Sequence, residues 1–307
     1  MAKPRIVILG GGFGGLYTAR ALQRELKDAA ELELITAENY FVFQPLLPEV
    51  GGGSVTPIHA TSPFRFLLKG VTIRKAWIDA VDFAAKTVTV FQGVQRRPTE
   101  IPYDQLVISL GQTVDLSRTP GLADHALVMK GLEDARRLRA HVIERLEHAD
   151  ITGLPEVKRG ALTFTIIGGG FSGIETVGEM AELIDRSLKY YPNVKREEIR
   201  IIVLEFAGQI LGEMPEKLRN YAAKQFEKRG IEIRLNTGVA SATGTQVTTT
   251  AGDVIDCRTI VATIGNAPAP VVGRMDVPLQ CGRIAVERYL AVPVRDGVWS
   301  LGYCALI

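Results

Sequence analysis

The sequence is short of several things, and each shortage removes a class of function. It has only three cysteines, Cys257, Cys281 and Cys304, in 307 residues. They lie far apart and form neither a Cys-x-x-Cys pair nor a metal-ligand spacing, so free thiols in a reducing compartment are expected and no metal site is. The four histidines, His59, His125, His141 and His148, are scattered. No Ser-His-Asp or Cys-His constellation is evident. The net charge is only +2, which gives no broad basic field for nucleic acid. No apolar run reaches the roughly eighteen residues of a membrane span. The opening "MAKPRIVILGGG" is no signal peptide, because its apolar piece is short, runs straight into glycines and lacks a cleavage site.

What the sequence does have is a repeat at long period. "RIVILGGGFGGLYTARAL" recurs as "TFTIIGGGFSGIETVGEM". Each copy is a β-rich apolar run, then Gly-x-Gly-x-x-Gly, then a helical pattern. The glycines are Gly10, Gly12 and Gly15 in the first copy and Gly168, Gly170 and Gly173 in the second. The first glycine permits a tight turn out of the strand, the second lets a pyrophosphate approach the backbone, and the third lets helix and strand pack closely. The helix N-terminus then offers free N–H groups and a positive dipole end to phosphates. Two copies, each between strand and helix, predict two dinucleotide sites, and the intervening Phe13, Gly14, Phe171 and Ser172 belong to the same turns.

An acid about 20 residues on, at the end of the next strand, is expected to bind a ribose hydroxyl. After the second copy "IRIIVLEFAG" supplies Glu205, with no arginine following to welcome a 2′-phosphate. The second site should therefore prefer NADH to NADPH. After the first copy "ELELITAENYFVF" supplies Glu38 as the nearest acid beyond the strand. Glu38 is favoured there, with the Thr36 hydroxyl as the alternative.

Between the copies, "NYFVFQPLLPEVGGGSVTP" is apolar, proline-punctuated and glycine-rich, and reads as an ordered loop over a ligand. "VTIRKAWIDAVDFAAKTVTVFQG" reads as a β-meander and "GLEDARRLRAHVIERLEHAD" as a helix, with "TGLPEVKRG" as a link. "LVISLGQT" and "IVATIGNAP" read as corresponding strands ending at Gly111 and Gly265, each closing a nucleotide-binding unit. The fold class is thus α/β: two Rossmann-like domains, the second inserted in the first, with a β-meander. Residues 1–117 and 268–307 form the first domain and 118–267 the second.

These motifs resemble the two-dinucleotide-domain flavoproteins. "NYFVFQPLLPEV" and "GGGFSGIETVGE" resemble, more specifically, the type II NADH dehydrogenases. The resemblance implies FAD at the first site, NADH at the second, and hydride transfer through the flavin to a quinone at the membrane surface. It implies a cytoplasmic protein peripheral to the inner membrane face, and leaves room for a homodimer. Gln44 and Pro45 match the loop that lines the flavin. Glu175, read as lying on the first turn of the second-copy helix, matches an acid near both rings and is the candidate catalytic side chain; charge complementing the helix N-terminus is the plainer reading. Dithiol chemistry is not expected, because no cysteine precedes Cys257. The terminal "WSLGYCALI" departs from the family, where the turn reads Gly-Asp-Cys-Ala and its Asp binds the FAD ribityl chain: Tyr303 stands there instead. The strand before it is expected at the centre of the first sheet. The resemblance also implies that a C-terminal part of the family is missing. The alternatives are an NADH-binding protein with little flavin and no turnover, or a soluble ferredoxin- or rubredoxin-type reductase.

Overall fold

The computed structural model describes residues 2–307. In chain order its principal elements are β1 (Arg5–Leu9), α1 (Phe13–Leu26), β2 (Glu31–Thr36), the short helix α2 (Leu47–Gly52), β3 (Thr72–Asp82), β4 (Thr87–Gln92), β5 (Arg97–Pro102), β6 (Gln105–Ile108) and β7 (Leu127–Val128). There follow α3 (Leu132–Ile151), β8 (Thr163–Ile167), α4 (Phe171–Ser187), β9 (Arg200–Leu204), α5 (Glu216–Lys228), β10 (Ile231–Arg234), β11 (Thr259–Ala262) and β12 (Val298–Ser300).

The chain divides into two compact units. One holds residues up to Val42, Thr61–Thr113 and Asn266–Ile307; the other holds Phe43–Ala60 and Val114–Gly265. The units divide at 113/114 and 265/266, and residues 43–60 leave the first for the second. The "FQPLLPEV" segment travels with the second unit. Small residues explain this. Gly52 lies so close to Glu179 that a larger side chain would hold α2 off α4, and Gly51 packs beside Leu138 of α3.

In the first unit a seven-stranded sheet runs β12-β6-β1-β2-β3-β4-β5. From β12 to β3 its pairs are parallel, and β3-β4-β5 is the antiparallel meander. Both faces of the parallel part are covered, so β1 is apolar from Ile6 to Leu9. Val7 and Leu9 face a cluster with Ile35, Leu106 and Ile108, while Ile6 and Ile8 face one with Leu16, Leu34 and Phe64. Buried Glu33 on β2 ties the strands laterally, pairing with Arg5 of β1 at 2.5 Å and with Arg74 of β3. The strand before the terminal turn, β12, is an edge strand beside β6 and not a central one. The chain then pairs Ala305–Leu306 in parallel with Ile284–Ala285.

The second unit has a parallel five-stranded sheet, β7-β11-β8-β9-β10, and a small antiparallel sheet of Val239–Ala242, Gln246–Thr249 and Val254–Asp256. All five residues of β8 are buried. "TGLPEVKRG" is not a bare link. Pro155 starts a short helix to Ala161, because its fixed φ suits the first helical position and its missing N–H is not needed there.

Candidate dinucleotide-binding sites

Each glycine turn is built by the same backbone logic. In the first unit Gly10 (φ +103°) leaves β1 and donates its N–H to Ile35 O at 2.8 Å; in the second, Gly168 (φ +109°) leaves β8 and donates to Leu204 O at 2.9 Å. Those φ values are costly for any side chain but readily reached by glycine. A Cβ on Gly15 would overlap the Gly10 carbonyl oxygen, and one on Gly173 would overlap that of Gly168, so the third glycine of each copy is fixed by helix–strand contact. Gly12 and Gly170 are the helix N-caps, and a Cβ on either would meet nothing within 4 Å. Neither helix has a side-chain cap or an acid in its first turn. The N-termini of α1 and α4 therefore carry no side-chain cap, and the turns at Gly12 and Gly170 leave room for a pyrophosphate. Phe13 and Phe171 open the two helices, both partly exposed. Phe13 stands edge-on to Phe41 at 5.0 Å and stacks with Tyr17 at 6.5 Å. Ser172 is exposed beside Phe171.

Glu205 follows β9 directly. Its carboxylate accepts from Gly169 N at 2.5 Å and Ala207 N at 2.7 Å, so two backbone amides hold it beside the second glycine turn. In the first unit the residue that follows Ile35, as Glu205 follows Leu204, is Thr36. Glu38 lies two residues on, exposed, with Lys75 Nζ 3.7 Å from its carboxylate.

The strands that close the units end differently. A Cβ on Gly111 (φ +65°) would meet nothing, whereas Gly265 (φ +79°) lies tight against the Asp115 backbone and accepts from Asp115 N at 2.7 Å. Gly14 lies against the Ser109 hydroxyl, and Gly302, in the terminal turn, is 3.9 Å from that hydroxyl measured at an added Cβ. The turn bearing Tyr303 thus borders the first glycine loop through Ser109. Tyr303 itself is exposed, with the Arg283 guanidinium 5.7 Å from its ring centroid. The three cysteines are free, with Cys257 and Cys304 buried and Cys281 exposed.

In the second unit α2 and α4 bring acids together. Glu175 is the fifth residue of α4, which begins at Phe171, so it stands past the first turn and not on it as the sequence suggested. Gly52 lies against Glu179, whose carboxylate accepts from Ser54 Oγ at 2.5 Å, and Arg186 donates to Gly52 O at 3.0 Å. One turn earlier on each helix, Glu49 and Glu175 come into the same register. Glu49 Oε2 is buried and has no hydrogen-bond partner. Burial raises the Glu175 carboxyl above its ordinary pKa, and the Glu49 carboxylate raises it further. Glu49 was missed from sequence; the signal available was an acid in an otherwise apolar loop. Gln44, on the turn before α2, donates to Lys130 O at 3.3 Å, and Pro45 follows it, exposed. Among the described residues no group of three or more His, Cys, Asp or Glu could hold a metal, and no helix is long and apolar enough to cross a membrane.

Comparison with known proteins agrees with this architecture. Residues 4–307 match the family described as pyridine nucleotide-disulphide oxidoreductase. Demethylphylloquinone reductase NdbB of Synechocystis sp. is 32% identical, over 98% of this chain and 72% of its own length. The type II NADH:quinone oxidoreductase NdhA of Mycobacterium tuberculosis is 30% identical, over 98% and 66%. An external alternative NAD(P)H-ubiquinone oxidoreductase B3 of Arabidopsis thaliana is 30% identical over 99% of this chain, which spans 55% of that relative's length. In fold, NDH2 from Plasmodium falciparum in complex with NADH superposes with a TM-score of 0.91 at 21% identity, covering 99% of this chain and 64% of that one. With its paired glycine turns and these relatives, the chain belongs to the type II NADH:quinone oxidoreductase group of the pyridine nucleotide-disulphide oxidoreductase family.

Proposed function

We propose that the chain is an FAD-dependent NADH dehydrogenase whose electrons pass to a quinone. The observation that carries this reading is the pair of open, uncapped glycine cradles, one per unit, with a carboxylate beside the second. The first unit takes FAD through Gly10, Gly12, Phe13, Gly14 and Gly15, with Gly111 beside the loop. The second takes NADH through Gly168, Gly170, Phe171, Ser172, Gly173 and Gly265. Glu205 accepts from the adenosine ribose and repels a 2′-phosphate. FAD supplies the two-electron chemistry that links a hydride donor to a quinone. The chain's own residues bind, orient and manage a proton. Reduction of a quinone by NADH consumes one proton from water, and the Glu175 carboxyl, lifted by burial and by Glu49, is the group suited to hold it. Gln44 and Pro45 form the ordered turn that presents α2. Residues 1–117 and 268–307 act as the FAD domain and 118–267 as the NADH domain in this reading.

Quinones dissolve in lipid, so the reaction belongs at a membrane surface, with the protein peripheral to the cytoplasmic face. A homodimer is the assembly to look for by light scattering.

The test is flavin content. Purified chain with close to one FAD, bleached by anaerobic NADH and reoxidised by a soluble quinone, is the expected result. Chain without flavin that still binds NADH would leave only the second unit at work and defeat the dehydrogenase reading. Bleaching without reoxidation by quinone would move the acceptor to a soluble redox protein.

A further inference from the structure

We propose that the first unit contacts the adenosine ribose of its dinucleotide through the Thr36 hydroxyl, and not through Glu38, so that its ribose subsite is neutral where that of the second unit is anionic. The inference rests on the assignment of FAD to the first unit.

Three observations place Thr36 there. The first is topological. Leu9 pairs with Ile35 across β1 and β2, and Ile167 pairs with Leu204 across β8 and β9, so Thr36 and Glu205 are the next residues at the same corner of each unit. The second is the approach to the loop. A Cβ placed on Gly169 would lie 3.0 Å from Glu205 Oε2, and one placed on Gly11 would press on Thr36 Oγ1, so both side chains face the same glycine of their turns. The third is burial. Thr36 is 6% exposed, so packing holds its side chain at this corner. A ribose hydroxyl suits it as a partner, since a threonine both donates and accepts.

Glu38 is ill placed for the same task. Its side chain is 52% exposed, and its nearest charge is Lys75 Nζ at 3.7 Å. A carboxylate at such a distance from the corner is solvated and paired at the surface. The two subsites should therefore differ in strength and in salt response. A neutral hydroxyl–hydroxyl bond contributes less than a charge-assisted one and hardly responds to ionic strength.

The experiment measures FAD dissociation from the holoprotein by equilibrium dialysis, for the original chain and for Thr36→Val, Thr36→Ser and Glu38→Gln. NADH binding in the same samples reports that the second unit is intact, and circular dichroism reports folding. Thr36→Val keeps the shape and removes the hydroxyl, and should weaken FAD about tenfold. Thr36→Ser keeps the hydroxyl, and Glu38→Gln leaves the corner untouched; both should stay within about threefold of the original. Weakening by Glu38→Gln with Thr36→Val unaffected overturns the proposal. So does equal weakening by the valine and serine variants, which would mark a packing effect. If the valine variant does not fold, serine and glutamine decide: loss in Glu38→Gln overturns the proposal, and retention in both supports it. An original chain that holds no FAD yet binds NADH overturns the flavin assignment, and this inference with it.

Discussion

The two glycine-turn units share a backbone and differ in what surrounds it. Both turn at a glycine with φ beyond +100°, both cap a helix with an unsubstituted N-terminus, and both lock helix to strand through a glycine that no larger residue can replace. The second unit adds charge: Glu205 clamped by two amides, and Glu175 facing Glu49. The first adds apolar and neutral groups: Phe13 between Tyr17 and Phe41, Thr36 at the ribose corner, Tyr303 at the terminal turn. The shared part is what any dinucleotide requires. The differing part is what distinguishes one from the other. A cofactor held for many turnovers suits apolar contact, while a substrate that exchanges each turnover suits a few directed polar contacts.

The largest effects should come from breaking the shared part in one unit at a time. Gly173→Val would drive a side chain into the Gly168 carbonyl, a clash with backbone that cannot relax by rotamer change. NADH binding should be lost by more than about a hundredfold, with destabilisation of about 3 kcal/mol, while FAD content stays near that of the original chain. Gly15→Val should do the converse, emptying the first site and sparing NADH. Isothermal titration with NADH and flavin released on denaturation read the two sites separately. Loss of both ligands in either variant would show that the units do not act as separate binding bodies.

A smaller effect sharpens the difference in charge. Glu205→Ala should weaken NADH by about 10- to 100-fold, the worth of a charge-assisted hydrogen bond at about 1.5–3 kcal/mol. Its effect on NADPH should be much less, so the preference for NADH narrows. Glu205→Gln keeps an acceptor without the charge and should fall between. An unchanged NADH/NADPH ratio in the alanine variant would remove Glu205 from cofactor choice.

Much of this was legible in the sequence because it depends on local rules. The Gly-x-Gly-x-x-Gly runs, the apolar strands before them and the helical spacing after them all act within about twenty residues, and Glu205 directly follows its own strand. What escaped depends on contacts distant in sequence. Glu38 is the nearest acid in sequence, while the pairing of Leu9 with Ile35 makes Thr36 the next residue at the corner that Glu205 occupies in the second unit. The "FQPLLPEV" segment, expected as an ordered loop, folds instead into a short turn and the helix α2, and its attachment to the second unit follows from Gly51 and Gly52 meeting α3 and α4, more than eighty residues away in the chain. Glu49 was invisible for the same reason, since its significance lies in Glu175. The edge position of β12 also depends on pairing, and an apolar strand reads the same at a centre as at an edge beside covered faces.

The smallest predicted effect tests that acid pair. The neighbours around it are engaged: Glu179 with Ser54, Arg186 with the Gly52 carbonyl, and Arg139 against Gly53. Glu49 and Glu175 remain coupled, and Glu175 holds its proton to higher pH in the folded protein than an ordinary glutamate. A carboxyl raised on folding contributes stability that is complete below its unfolded value, about pH 4.3, and lost as pH rises through the folded value. Glu49→Gln removes the second cause of the rise and leaves the first, burial. The Glu175 carboxyl should therefore titrate at lower pH in the variant, though still above an ordinary glutamate, as read by its side-chain ¹³C resonance. Near pH 4 the two proteins should unfold at the same denaturant concentration. Near pH 8 the variant should be the more stable, by less than about 1 kcal/mol, because water still reaches the pair. The turnover profile should shift the same way, with the alkaline fall in quinone reduction arriving at lower pH once Glu175 releases its proton more readily. An equal gap in unfolding midpoint at both pH values, with the Glu175 resonance unmoved, would uncouple the two acids and leave Glu175 raised by burial alone.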